Sequence, residues 1–96
     1  MEKNKLFVLI DESLDPIYGA VQGGHAVVKW MIEHPKGDWN NDYLIYLSCD
    51  LTKVSNKLDV LGIDYSTFEE PDLNGRMTAI AVHRNDRLFR RFKVLS

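Results

Sequence analysis

Three short stretches of the chain carry side chains that could do chemistry. Gln22 and His25 are spaced to lie one turn apart on a helix. Glu69-Glu70-Pro71-Asp72 offers carboxylates, and Thr78 adds a hydroxyl a few residues on. An imidazole such as His25 can position or deprotonate a water molecule. A carboxylate at Glu70 or Asp72 can orient that imidazole or the water. Gln22 and the Thr78 hydroxyl can hold a carbonyl or a ribose. Together they describe hydrolysis by acid–base chemistry. Singly, each residue is also an ordinary surface His, a solvated acidic turn or a strand Thr.

Other chemistries find no motif. There is no Walker loop, dinucleotide fingerprint or zinc-protease pair, and Gly19 to Gly24 does not spell a GxGxxG turn. His25, His34 and His83 lack ligand spacing, and Cys49 is the single cysteine. Neither a Cys-based zinc cage nor an internal disulfide can form. The expectation is a site without metal or cofactor, in a reducing cytoplasm.

These residues need elements to position them. Leu6 to Ile10 is a continuous apolar run, the pattern of a strand buried on both faces. Asp15-Pro16 is a helix start, with Asp as N-cap and Pro at the first position. The helix is predicted over 16–33, ending before Pro35. At 100° per residue, Ala20, Gly24, Val27, Val28 and Met31 share one side, with Gly23 and Trp30 at its edge. That side is expected to face the core. Tyr18, Gln22, His25 and Lys29 form a polar stripe expected to face solvent, with Gly19 and Gly23 opening a groove beside it.

Lys36 to Asp42 reads as a polar loop anchored by Trp39. Tyr43 to Cys49 reads as a second strand. Asp50 or Thr52 caps a second helix with Leu51, Val54, Leu58 and Leu61 inward, and Gly62 closes it. A third strand is predicted over 63–68, a turn over 71–75 and a fourth strand over 77–82. A closing helix is predicted from Asn85 or Asp86, with Leu88, Phe89 and Phe92 inward. The order is βαβαββα. It implies a parallel crossover between the first two strands and an antiparallel pair at the end. The fold class is α/β, a two-layer or three-layer sandwich on a mixed four-stranded sheet.

Composition agrees with one small globular domain. The chain has 96 residues, 45% hydrophobic and 27% charged, with net charge −2. No apolar run approaches the roughly 20 residues of a membrane helix, and five apolar residues after Lys5 are too few for a signal-peptide core. The charge is uneven: residues 84–96 carry +4 and residues 1–83 carry −6. Bulk charge does not mark a general nucleic-acid binder, yet the basic end could meet phosphate. A homodimer is one way for so small a sheet to cover an edge.

At Gln22-Gly23-Gly24-His25-Ala26 the sequence resembles the first-helix motif of the second, archaeal and eukaryotic type of peptidyl-tRNA hydrolase. That motif reads Gly-Lys-x-x-x-Gln-x-x-His-Ala, and Gln22, His25 and Ala26 match in register. The family's Asp-Ala-Gly-x-Thr turn and Thr-x-x-Ala-Ile strand are similar to Glu70-Pro71-Asp72 and Thr78-Ala79-Ile80. Leu88 to Leu95 resembles the family's ending. The likeness runs over nearly the whole chain. It implies cleavage of the ester between a peptide and the tRNA 3′ ribose. His25 would activate water, Glu70 or Asp72 would orient it, and Gln22 and Thr78 would hold substrate. Arg87, Arg90 and Arg91 would meet the phosphates of tRNA or peptidyl-tRNA. Two departures stand out. Tyr18 occupies the family's Lys position, with Lys29 a distant substitute, and the acidic turn is rebuilt. The alternatives are hydrolysis of another acyl or aminoacyl ester, or an inactive relative that binds a peptide, a small ligand or a protein partner.

Overall fold

A computed structural model describes residues 4–37 and 39–96. Met1, Glu2 and Lys3, on which the start of the chain was read, lie outside the described residues, as does Asp38 of the polar loop. The elements are β1 (Lys5–Asp11), α1 (Pro16–Glu33), β2 (Tyr43–Cys49), α2 (Leu51–Val60), β3 (Ser66–Glu70), a 3-10 turn (Pro71–Leu73), β4 (Arg76–His83) and β5 (Lys93–Val94). They build a mixed sheet of five strands in the order β3-β4-β1-β2-β5. β1 and β2 run parallel, from Lys5 opposite Tyr43 to Asp11 opposite Cys49. β4 is antiparallel to both β1 and β3.

The apolar run of β1 is explained by its central place, since its side chains alternate between two cores. Leu6, Val8 and Ile10 join Ala26 and Trp30 of α1 on one face. Phe7 and Leu9 join Leu51, Val54 and Leu58 of α2 on the other. The fold is therefore a three-layer α/β sandwich. The Asp15 carboxylate accepts hydrogen bonds from the Ile17 and Tyr18 N–H groups and starts α1 beside Pro16. Asp50 caps α2 in the same way through Lys53 N–H. Trp39 is buried, and its indole N–H donates to the Tyr43 carbonyl at 2.9 Å.

Three expectations are corrected. First, residues 85–92 are not a closing helix. They fold into turns closed by Arg90 N–H to Arg87 O and Phe92 N–H to Phe89 O, followed by the fifth strand. A short terminal helix has a costly nucleus, whereas β2 offers unpaired backbone along its edge. Val94 pairs opposite Leu47, and Leu95 N–H donates to Tyr46 O at 3.1 Å. Phe89 still turns inward, its ring edge against Phe7 at 5.0 Å. Second, β3 starts at Ser66 and reaches Glu70, past a register shift between Phe68 and Glu69.

Third, α1 is rotated about its axis, so that Gln22 is buried while Tyr18 and His25 stay exposed as expected. Gly19, Gln22, Gly23, Ala26 and Trp30 face the sheet, while Val28 and Met31 are exposed. The cause is the bulk of the sheet beneath. A Cβ at Gly19 would lie 2.5 Å from Ile10 Cγ2, and one at Gly23 would lie 2.6 Å from Tyr46 Cε2 and 2.8 Å from Val8 Cγ1. Only residues without a side chain let the backbone approach so closely. The two glycines are filled by sheet side chains and open no groove. Gly24, by contrast, faces open space.

Candidate functional site

The carboxyl ends of parallel strands are where α/β sheets tend to place sites. Here β1 and β2 end at Asp11 and Cys49, β3 ends at Glu70, β4 begins at Arg76 and α1 begins at Pro16. All of these share one edge of the molecule.

Two stretches far apart in sequence meet below this edge. Thr78 Oγ1 donates to Gln22 Oε1 at 2.6 Å, across 56 residues of chain. Both side chains are buried. The pair ties α1 to β4 one turn before His25. The same burial corrects the expected solvent-facing Gln22, and it leaves neither group open to a bound molecule. His25, one turn on, is exposed, and its ring stacks on Phe68 with centroids 4.5 Å apart and planes 15° from parallel. That contact fixes the imidazole plane. Among the described residues no hydrogen bond joins His25 to Glu70 or Asp72.

The carboxylates gather instead around Tyr18, seven residues before His25 and so about 10 Å along the helix. Glu70 is half-buried at the end of β3, and Asp72 is exposed on the 3-10 turn. Asn74 at φ 58° and Gly75 at φ 78° then reverse the chain into β4. Desolvation pushes the Tyr18 phenol above its ordinary pKa. The negative charges of Glu70 and Asp72 add to the shift, and Arg76 opposes it.

Arg76 is a candidate residue at this edge that its type and spacing in the sequence do not mark. It opens β4 opposite Glu70. Its guanidinium donates to Asp11 Oδ2 at 2.7 Å and to the Ser13 hydroxyl. Burial works to raise the Asp11 carboxyl. The Ser13 hydroxyl, the Leu51 and Ser13 N–H groups and Arg76 overcome that and hold it below the usual carboxylate range. The available signal was the turn itself, because the residue after Asn74-Gly75 must stand across from the end of β3.

The remaining candidates lie elsewhere. Lys29 is half-exposed, one turn beyond His25. Arg87 and Arg90 line a cavity of about 270 Å3 with Phe7 and Phe89, on the α2 side of the sheet. Arg91 lines a neighbouring cavity of about 640 Å3 with Lys53, Lys57 and Lys93. The sheet separates these arginines from the α1 face that carries His25. Among the described residues no group of His, Cys, Asp or Glu could hold a metal ion, and no helix is long and apolar enough to cross a membrane.

No protein-family model matches the chain, and no curated protein is similar to it in sequence. In structure it is similar to a protein of unknown function from Agrobacterium tumefaciens. That likeness has a TM-score of 0.73 at 11% identity and covers 100% of both chains. At that identity it concerns the fold alone.

Proposed function

We propose that this chain is a divergent, peptidyl-tRNA hydrolase-like esterase, acting on the bond between an acyl group and the tRNA 3′ ribose. The observation that carries this reading is the Gln22–Thr78 hydrogen bond. Each residue belongs to a separate stretch resembling that family, and the two stretches meet in space. His25 takes a proton from water as the water oxygen bonds to the ester carbonyl carbon. The bond from that carbon to the ribose oxygen then breaks, and the ribose oxygen receives the proton. Phe68 fixes the imidazole, and Gln22 and Thr78 position α1 from behind. Arg76 brings positive charge to the end of the site where Tyr18 replaces a lysine. Chemistry of this kind calls for no cofactor.

The test is release of tRNA from peptidyl-tRNA or N-blocked aminoacyl-tRNA by the purified protein. The exposed His25 can be replaced without disturbing the core. His25→Ala is expected to lower turnover about 10²-fold or more. Unchanged turnover in that variant would overturn the reading.

A second reading is a non-catalytic relative that uses the same face for binding. It is favoured by one observation: His25 stacks on Phe68 and has no carboxylate partner at Glu70 or Asp72. No turnover by folded wild type, with peptide or acyl ligands still shifting the His25 resonances, would select it.

A further inference from the structure

The outward face of α1 is the anomaly of this molecule. Ile17, Val21, Val28, Met31 and Ile32 are between 47% and 79% exposed. Five large apolar side chains on one helix face make a patch of several hundred Å2, as large as the largest found on typical monomers and more often an interface than bare surface. The steps from Ile17 to Val21, Gly24, Val28 and Met31 alternate four and three residues. That is the spacing of a seam between two helices. Gly24 lies at its centre, and a Cβ there would meet nothing within 4 Å, so the backbone itself is open to close approach.

We propose that this stripe is the contact between two copies of the chain, with the two α1 helices packed antiparallel about a two-fold axis at Gly24. The pattern is complementary to itself when reversed. Gly24 meets Gly24, Val21 meets Val28, and Ile17 meets Met31 and Ile32, as an isologous interface requires. Charge decides the direction. The start of α1 carries Asp15, and Glu70 and Asp72 act on Tyr18 at the same end, where the nearby cation, Arg76, is already paired with Asp11 at 2.7 Å. Parallel packing would bring two such acidic ends together. Antiparallel packing places Lys29 of one copy against the Tyr18 end of the other, and the helix dipoles oppose. Ala20 and Val27 on the other flank meet each other without charge. The proposal does not depend on the esterase reading, since its readout is mass and cross-linking rather than turnover.

Light scattering during size exclusion should give twice the chain mass of 11.1 kDa for wild type. Val28→Glu should return it to the single-chain mass, whereas Val60→Glu, on exposed α2 surface, should leave the dimer intact. Circular dichroism confirms that each variant is folded. For direction, Ile17→Cys and Met31→Cys chains should form disulfides when mixed and not when oxidised alone. Cys49 is buried and does not compete. A wild type of single-chain mass overturns the proposal and leaves the stripe to a different partner. A dimer indifferent to Val28→Glu overturns the surface. Ile17→Cys chains that link to themselves overturn the antiparallel arrangement.

Discussion

Thr78 and Gln22 illustrate what a buried polar pair does when both members are satisfied. Thr78→Val should leave the Gln22 carbonyl oxygen without its donor and cost about 1–3 kcal/mol of stability. Thr78→Ser should keep most of it. Replacing both residues with apolar ones of similar size should cost less than the sum, because no orphan remains. Denaturant midpoints of the single and double variants test this. Cys49 is governed by burial in the opposite sense. Desolvation, with help from Asp11, Glu12 and Asp50, pushes its thiol up to about 12. The thiolate is the reactive form, so native protein should resist a thiol reagent near neutral pH. Denatured protein should react with one equivalent.

At the scale of elements, α1 is held by what its residues lack. Gly23→Ala would place a Cβ within 2.6–2.9 Å of Tyr46, Val8 and Ile10. The helix would have to lift from the sheet, at about 1–3 kcal/mol for such overpacking. The same change at Gly24 meets nothing within its own chain and should leave the fold of the chain intact, its added methyl standing instead in the α1–α1 contact between copies. Thermal unfolding of the two variants separates a packing glycine from an open one. The far end of α1 is clamped differently. His34 stacks on Trp30, bonds the Trp30 carbonyl at 2.9 Å and pairs with Asp64 at 2.7 Å. The Asp64 hydrogen bond raises the His34 pKa; desolvation opposes it, and the Trp30 carbonyl and nearby negative charges reinforce it. A raised histidine contributes stability that is fully present below its unfolded value of 6.5. That contribution is lost as pH rises through the folded value. Wild type should therefore lose stability over that interval relative to His34→Gln. The difference should shrink with salt, since Asp64 is exposed.

At the scale of the whole molecule, the carboxyl-terminal arm completes the sheet. Phe89 is its anchor, buried with Phe7, Leu47 and Val82. Phe89→Ala should cost about 3–5 kcal/mol. It should also release β5, seen as faster amide exchange at Leu95, whose N–H donates to Tyr46 O. The arm presents its cations on the α2 side, while Tyr18, His25 and Glu70 lie on the α1 side. One ligand touching both would have to pass around an edge of the sheet.

Much of the fold was legible because its signals are local. Asp15-Pro16 before Pro35 brackets α1 to the residue, Asp50 and Gly62 bracket α2, and the run from Leu6 to Ile10 marks a strand covered on both faces. The site was legible in part. Gln22, His25 and Thr78 stand out by type and spacing, but Arg76 and the His34–Asp64 pair depend on neighbours distant in sequence. The sequence by itself determined the elements from β1 to β4, their order and the parallel crossover, since caps, turns and apolar runs act within a few residues. Only the tertiary structure decided which face of α1 is buried, because that depends on the bulk of Ile10, Val8 and Tyr46 beneath it. It also decided that the arm becomes a fifth strand, because the competing hydrogen bonds come from an edge of β2 that exists only once the sheet has formed.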